Sequence, residues 1–202
     1  MSLDLILALA LFALVSSVTP GPNNLMLMAS GANFGLRRTL PHMLGVALGF
    51  TLMVALVGAG VGQLFQRFPL ADMLLKVFAV VYLLYLAWKI ATAAPPERKL
   101  APEGRPFTFL QAAAFQWVNP KAWAMALTAT TAYAPDRSLV SVLLVAAVFG
   151  LVNLPSVGVW TILGREVARL LRQPRHLRAF NLAMAALLVA SLWPILTHHA
   201  PL

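Results

Sequence analysis

Two short segments of the chain contain residue types that could bind a small anion inside an apolar protein. The first is Thr19-Pro20-Gly21-Pro22-Asn23-Asn24 and the second is Trp117-Val118-Asn119-Pro120-Lys121. Because proline lacks a backbone N–H and clashes with the preceding turn, both segments are expected to break an α-helix. Gly21 or Asn119 followed by proline is also typical of a helix start, which predicts that a new helix begins at each break.

Such helix starts could bind a carboxylate. The first turn of a helix has unpaired N–H groups and the positive end of the helix dipole, and both attract anions. Lys121 adds a positive charge, so we expect it to contact backbone carbonyls, Asn amides or a ligand carboxylate. The acidic residues lie at the ends of the apolar runs or between them, at Asp4, Asp72, Glu97, Glu103, Asp136 and Glu166. The predicted substrate-binding residues are Pro20, Gly21, Pro22, Asn23, Asn24, Asn119, Pro120 and Lys121.

Structural explanations for the same residues stay open at this point. Pro20 and Pro22 are also typical of simple kinks in a membrane helix. Asn23 and Asn24 would equally satisfy backbone groups that a break leaves unpaired. The long side chain of Lys121 would also be able to reach toward an interface.

The composition places these segments in a membrane protein. Of the 202 residues, 60% are hydrophobic and only 10% are charged, whereas soluble domains have about 25% charged residues. The formal net charge of +9 arises from bases that lie between apolar runs, which is the membrane pattern. It is not the solvated basic face of a nucleic-acid-binding protein. We therefore expect the lipid bilayer, and no nucleic acid, as a partner.

The predicted fold is an all-α polytopic membrane protein with six transmembrane helices, of which the first and fourth are broken. A helix needs roughly 20 apolar residues to cross a bilayer, and six segments are long enough. Gly45 and Gly49 form a GxxxG pattern, which predicts close helix packing there. The predicted spans are Leu3–Phe34, Pro41–Gly62, Leu70–Ala91, Phe107–Tyr133, Leu139–Leu163 and Arg178–Leu196.

The basic residues predict the orientation of these spans. The positive-inside rule places basic connections in the cytoplasm, so the connections after spans one, three and five are cytoplasmic and both termini are outside. Eleven of the fifteen Lys and Arg residues lie there, namely Arg37, Arg38, Lys89, Arg98, Lys99, Arg105, Arg165, Arg169, Arg172, Arg175 and Arg178.

A single transmembrane domain, residues 1–202, is predicted to consist of two inverted repeats. Residues 92–106 form a charged, proline-containing cytoplasmic linker between a first half, 1–91, and a second half, 107–202. Three spans in each half force the halves to insert with opposite orientations. When Pro22 is aligned with Pro120, the two breaks coincide. This is the pattern of inverted-repeat transporters, whose site lies near the bilayer midplane between two discontinuous helices.

No cofactor, metal or enzymatic activity is expected. The chain has no cysteine, which excludes disulfides, thiolate metal sites and thiol redox chemistry. The four histidines have neither ligand spacing within one helix nor acidic companions. They are His42, His176, His198 and His199.

Over nearly its whole length the sequence resembles the LysE/RhtB family of amino-acid exporters. Thr19-Pro20-Gly21-Pro22-Asn23, followed by glycines 31, 35, 45 and 49, is similar to the opening of that family. Tyr82-Leu83-Leu84-Tyr85-Leu86-Ala87-Trp88 is similar to its third-span signature, and Asn119-Pro120-Lys121-Ala122 to the NPKA motif that opens its second half.

This resemblance implies export of amino acids or their derivatives across the bacterial inner membrane, driven by the proton gradient. It supports Pro20, Gly21, Pro22, Asn23, Asn119, Pro120 and Lys121 as functional residues. The family often has a Gly-Asp pair in the second span, whereas this chain has Phe50-Thr51. No coupling carboxylate is therefore identified, and Lys121 is the only titratable residue expected to be buried within the spans.

The leading hypothesis is a secondary exporter of amino acids or related small zwitterions, in which the two halves rock around the site. A metal-ion exporter of related architecture and a non-transporting membrane scaffold are the alternatives. The sequence leaves open which substrate is exported and whether the chain forms a homo-oligomer.

Overall fold

The computed structural model describes residues 1–61, 68–93, 104–134, 136, 138–170 and 173–193, and every regular element within these ranges is helical. Most of the predicted linker, residues 94–103, lies outside the described residues. A π-helical turn, Val57–Val61, follows the second helix, and a 3₁₀ turn, Gln116–Val118, follows the fourth. The helices are α1 (Leu3–Val18), α2 (Pro22–Leu56), α3 (Pro69–Ala91), α4 (Phe109–Phe115), α5 (Pro120–Tyr133), α6 (Leu139–Leu170) and α7 (Pro174–Ala190).

Within the described ranges, three helical segments are long and apolar enough to cross a membrane, namely Pro22–Val61, Met73–Ala91 and Leu139–Leu170. The helix Leu3–Val18 is apolar but shorter. The predicted span Leu3–Phe34 is divided between α1 and the start of α2, and Phe107–Tyr133 is divided between α4, the 3₁₀ turn and α5. Residues 62 and 194–196, at the ends of two other predicted spans, lie outside the described ranges.

The connection predicted between Phe34 and Pro41 is in fact almost entirely helical. Only Gly35, with φ of 75° and ψ of 171°, leaves the helical conformation. The hydroxyls of Ser30 and Thr39 are nevertheless 3.0 Å apart, whereas nine residues of straight helix would separate them by about 13 Å. The chain therefore reverses at Gly35, and α2 consists of two arms, 22–34 and 36–56, that lie side by side. Glycine tolerates this positive φ because it has no Cβ.

Helix α6 packs against the first arm of α2 through two glycines. A Cβ on Gly31 would collide with the carbonyl group of Thr161, and a Cβ on Gly164 would collide with that of Met28. Each helix thus presents a glycine to the backbone of the other, which brings the two backbones into direct contact.

The GxxxG pattern of the second arm packs in the same way, against α4. A Cβ on Gly45 would collide with the carbonyl of Phe109, and one on Gly49 would lie 2.5 Å from the Cα of Ala113. The predicted close packing at Gly45 and Gly49 is therefore confirmed.

Large apolar side chains cover the outer surface of the molecule. Leu3, Leu7, Leu11 and Leu14 lie along one face of α1 and are 48% to 71% exposed. Met73, Val77 and Val81 form a similar exposed stripe on α3. Contiguous apolar surface of this kind suits contact with lipid and not with water, so the membrane class predicted from composition is confirmed.

Candidate functional site

Lys121 lies in the first turn of α5 and reaches the backbone at the end of α1. Its Nζ lies 2.6 Å from the carbonyl oxygen of Thr19, 2.8 Å from Thr19 Oγ1 and 3.3 Å from the carbonyl oxygen of Pro20. The carbonyls that follow a helix carry its negative dipole end. Of the partners expected for Lys121, backbone carbonyls are the ones found, and the contact brings the two proline-containing segments together.

Local sequence explains why α5 begins where it does. Asn119 is in an extended conformation, and its Oδ1 accepts a hydrogen bond of 3.2 Å from the backbone N–H of Lys121. Pro120 follows at the first helical position, where its missing N–H costs nothing. The N-cap role predicted for Asn119 is confirmed, and the cap fixes the backbone from which the Lys121 side chain extends.

The start of α2 is built differently. Gly21 occupies the N-cap position without a side-chain cap, and Pro22 is the first helical residue. A Cβ on Gly21 would lie 2.6 Å from Cδ of Lys121 and 3.2 Å from its Nζ. The absence of a side chain at Gly21 therefore lets the aliphatic part of Lys121 pass on its way to Thr19. Pro20 is exposed and Pro22 is buried.

Side chains satisfy the carbonyls at the end of α1. Asn24 Nδ2 donates to the carbonyl of Ser17 at 2.7 Å and to that of Thr19 at 2.9 Å. Trp160 Nε1 donates to the carbonyl of Val18 at 3.1 Å, and Thr19 Oγ1 donates to that of Ser16 at 2.9 Å. With the two carbonyls bound by Lys121, each backbone acceptor from residue 16 to residue 20 has a donor. These donors satisfy the carbonyls that the end of a helix leaves without partners inside the helix.

Asn23 forms an amide pair with Gln116. Its Nδ2 donates to Gln116 Oε1 at 2.8 Å, and Gln116 Nε2 donates back to Asn23 Oδ1 at 3.2 Å. Gln116 Nε2 also donates to the carbonyl of Ala112, and its side chain is fully buried. The sequence analysis did not single out Gln116. A signal was present, because a polar side chain inside an apolar span costs free energy and often has a specific role.

A small cavity of about 30 Å³ lies where these groups meet. Of the predicted residues it is lined by Gly21, Asn23, Asn24, Asn119 and Lys121, whereas Pro20, Pro22 and Pro120 set the backbone and are outside the lining. A water molecule needs about 10–15 Å³ of such space, so the cavity in this conformation has room for roughly two waters. Lining residues that the sequence analysis missed are Ser16, Ser17, Phe50, Ala122, Met125 and Asn153.

The expectation that Lys121 is the only titratable residue buried within the spans is wrong. His42, in the second arm of α2, is only 2% exposed. Its two ring nitrogens are buried and have no hydrogen-bond partner among the described residues.

Comparison with known proteins points to a single family. Residues 14–191 match the LysE type translocator family. The chain is similar to the cysteine/O-acetylserine efflux proteins of Escherichia coli (strain K12) and Shigella sonnei (strain Ss046). Each is 33% identical to it over 181 residues, which is 88% of this chain and 90% of the relative. No solved structure matches the chain significantly.

Proposed function

The chain belongs to the LysE type translocator family and is therefore a transporter and not an enzyme, and we propose that it exports a small amino acid or a related zwitterion from the bacterial cytoplasm. The names of its relatives favour cysteine, O-acetylserine and compounds of similar size as substrates. A short polar side chain also fits a site whose cavity is small and is bounded by Phe50 and Met125.

We further propose the architecture of an inverted-repeat transporter in the inner membrane. Six spans would form two halves, 1–91 and 107–202, joined by the cytoplasmic linker 92–106, with both termini outside. The starts of α2 at Pro22 and of α5 at Pro120 support two discontinuous helices, and their meeting at Lys121 supports a site between the halves. The concentration of Lys and Arg in the odd-to-even connections supports the orientation.

The observation that carries the substrate assignment is the contact of Lys121 with the carbonyls of Thr19 and Pro20. A zwitterion is able to insert into this contact. Its carboxylate would bind the ammonium of Lys121, because charge-assisted hydrogen bonds are stronger than neutral ones. Its own ammonium would take the place of Lys121 at the carbonyls. One contact would thus become two, and each charge of the substrate would have a partner.

This exchange also provides a coupling between binding and movement. In the structure the side chain of Lys121 joins α5 to the end of α1. A substrate between them separates the two helices, and the cavity of about 30 Å³ must enlarge to admit it. Binding energy would therefore shift the equilibrium toward a conformation in which the halves have moved apart. Alternating exposure of the site follows if that movement opens one face at a time.

The remaining predicted residues would maintain this geometry. Asn24 holds the carbonyl of Thr19 in place, and Asn119 fixes the first turn of α5. Asn23 and Ser17, whose hydroxyl has no hydrogen-bond partner in the described part of the chain, line the cavity and would add hydrogen bonds to the substrate. Pro20, Pro22 and Pro120 would keep the two breaks open. Export is proposed to be driven by the proton gradient, with Lys121 as one candidate for the proton carrier.

The experiment is an efflux assay in bacterial cells that lack their own cysteine and O-acetylserine exporters. Cells preloaded with labelled O-acetylserine should release it at least tenfold more slowly with Lys121→Gln than with the wild type, at equal protein levels in the membrane. Arg175→Gln, which removes an exposed positive charge from α7, is the matched control and should leave efflux unchanged. Normal efflux by a correctly inserted Lys121→Gln protein would overturn the proposal.

A further inference from the structure

A second cavity, of about 340 Å³, lies between the two arms of α2, the end of α3 and the segment before α4. It is roughly ten times larger than the cavity at Lys121 and falls within the size range of small-molecule sites. It has room for a whole amino acid without any movement of the helices.

The two cavities lie along the same arm of α2. Asn24 lines the small cavity, whereas Met26, Ser30 and Asn33 line the large one. The nine residues from Asn24 to Asn33 correspond to about 13 Å of helix. The large cavity is therefore next to the Gly35 turn, at the end of the molecule where Arg38 contacts the carbonyl of Gly104. This is the face proposed to be cytoplasmic.

Most polar groups in the wall of the large cavity already have partners. The hydroxyl of Ser30 is bonded to that of Thr39. Asn33 and Asn181 exchange two hydrogen bonds, of 3.0 and 3.2 Å. His42 differs, because neither Nδ1 nor Nε2 has a partner among the described residues.

An unpartnered imidazole in this position reduces stability, because burial removes its bonds to water without replacing them. A leucine or phenylalanine would pack there at no such cost. The ring of Phe107, which also lines the cavity, lies against that of His42 with 5.3 Å between their centroids. His42 thus provides an unused hydrogen-bonding group in a wall that is otherwise largely apolar.

Two positive charges complete the lining. Lys89 lies in the last turn of α3, and Arg105 lies before α4. Both are exposed, and no acidic residue is found among the described residues that line this cavity. The charge therefore favours a carboxylate, and the neutral imidazole is able to accept a hydrogen bond from an ammonium group.

We propose that this cavity is a loading site, which binds the exported amino acid from the cytoplasm before it reaches Lys121. The proposal rests on the function proposed above. The carboxylate binds Lys89 and Arg105, and the substrate side chain lies against Phe107. The ammonium donates to His42 once the imidazole, whose ring nitrogens are buried in the wall, turns toward the cavity. The site concentrates substrate at the cytoplasmic end of the first arm of α2, and Lys121 then receives it when the helices separate.

The test uses everted membrane vesicles, in which the cytoplasmic face is outside and export is measured as uptake. Initial rates of labelled O-acetylserine uptake are measured across a range of concentrations. The double variant Lys89→Gln/Arg105→Gln should raise KM about five- to tenfold, the loss expected for exposed charge-assisted bonds, while the maximal rate stays within twofold of wild type. The matched control, Arg175→Gln/Arg178→Gln, removes two exposed charges outside this lining and should leave KM unchanged.

His42 is tested with two substitutions in the same assay. His42→Phe should raise KM at least threefold and also raise resistance to unfolding, because it removes a buried polar group without a partner. His42→Gln, which retains a hydrogen-bond acceptor, should recover part of the affinity. A stabilised His42→Phe protein with normal KM would show that His42 is only a core residue and would overturn its role.

The two proposals fail in different ways. Wild-type vesicles that take up neither O-acetylserine nor cysteine would overturn the proposed substrate class, and the loading site with it. Wild-type uptake that is lost in Lys121→Gln but keeps its KM in the Lys89→Gln/Arg105→Gln variant would overturn the loading site alone.

Discussion

The ammonium of Lys121 lies 2.6 Å from the carbonyl oxygen of Thr19, although 102 residues separate them in the chain. This contact joins the two proline-containing segments and also provides one of the donors that the end of α1 requires. The other donors are the side chains of Asn24, Trp160 and Thr19 itself. The backbone carbonyls from residue 16 to residue 20 therefore all have donors, and one of these donors, Lys121, carries the charge that a substrate would need.

The close approach of Lys121 to Gly21 leads to a prediction about their coupling. Gly21→Ala would place a methyl group 2.6 Å from Lys121 Cδ. The backbone at Gly21, with φ of −176°, is extended and suits any residue. Any loss of efflux or stability in Gly21→Ala is therefore expected to come from contact with Lys121. We expect Gly21→Ala to reduce O-acetylserine efflux at least fivefold and to lower the free energy of unfolding by about 1–2 kcal/mol.

The coupling is measured by a double-mutant cycle. In a Lys121→Ala background the methyl group meets no lysine side chain. Gly21→Ala should therefore lower the free energy of unfolding by less than about 0.5 kcal/mol in that background. Unfolding in sodium dodecyl sulfate provides the free energies. An equal cost in both backgrounds would mean that Gly21 is required for a reason other than the passage of Lys121.

Local signals allowed the helix starts at Pro22 and Pro120, the Asn119 cap and the GxxxG packing to be predicted from sequence. Proline breaks its own helix, an N-cap asparagine starts one, and paired glycines allow a neighbouring helix to approach closely. These effects need no knowledge of which other parts of the chain lie nearby. The chain reverses between Phe34 and Pro41, where the sequence predicts a connection between two spans, but the helical form of that connection was not predicted. One glycine with positive φ reverses the chain while both flanks stay helical.

Contacts between distant parts of the chain could not be found in the same way. Asn23 and Gln116 are 93 residues apart, and their pairing depends on how α4 and the 3₁₀ turn pack against α2. The position of His42 beside a large cavity likewise arises only when α2 folds back and α3 ends nearby. In both cases a polar residue inside a predicted span was the available signal, because such residues are costly in lipid.

Two glycines of α6 provide a matched test of the packing against α2. Gly164→Ala should destabilise the protein by about 3 kcal/mol or more, because its Cβ would meet the backbone carbonyl of Met28, which cannot rotate away. At Gly158 the nearest atom is Met43 Cε at 3.5 Å, an ordinary contact. Gly158→Ala should therefore be neutral or stabilise the helix by up to about 1 kcal/mol.

Detergent unfolding and the amount of protein in the membrane are the measurements for this pair. Equal stability of the two variants would contradict the direct contact of the α2 and α6 backbones. Because both substitutions add one methyl group to the same helix, a difference in stability between them reports the contact that each methyl group makes.

Substitutions in the amide pair of Asn23 and Gln116 can distinguish a structural role of this pair from a role in transport. Gln116→Leu leaves the Asn23 amide without its partner, and Asn23→Leu leaves Gln116 Oε1 without its donor while Nε2 still donates to the carbonyl of Ala112. Each substitution should therefore cost about 1–3 kcal/mol of stability. The double variant has two apolar residues in contact and should recover at least about 1 kcal/mol relative to the sum of the single effects. Asn23 also lines the cavity at Lys121, so efflux should stay at least tenfold below wild type even where stability is regained. Recovery of efflux together with stability would assign the pair to packing alone, because a site that uses Asn23 to bind substrate cannot regain function without its amide.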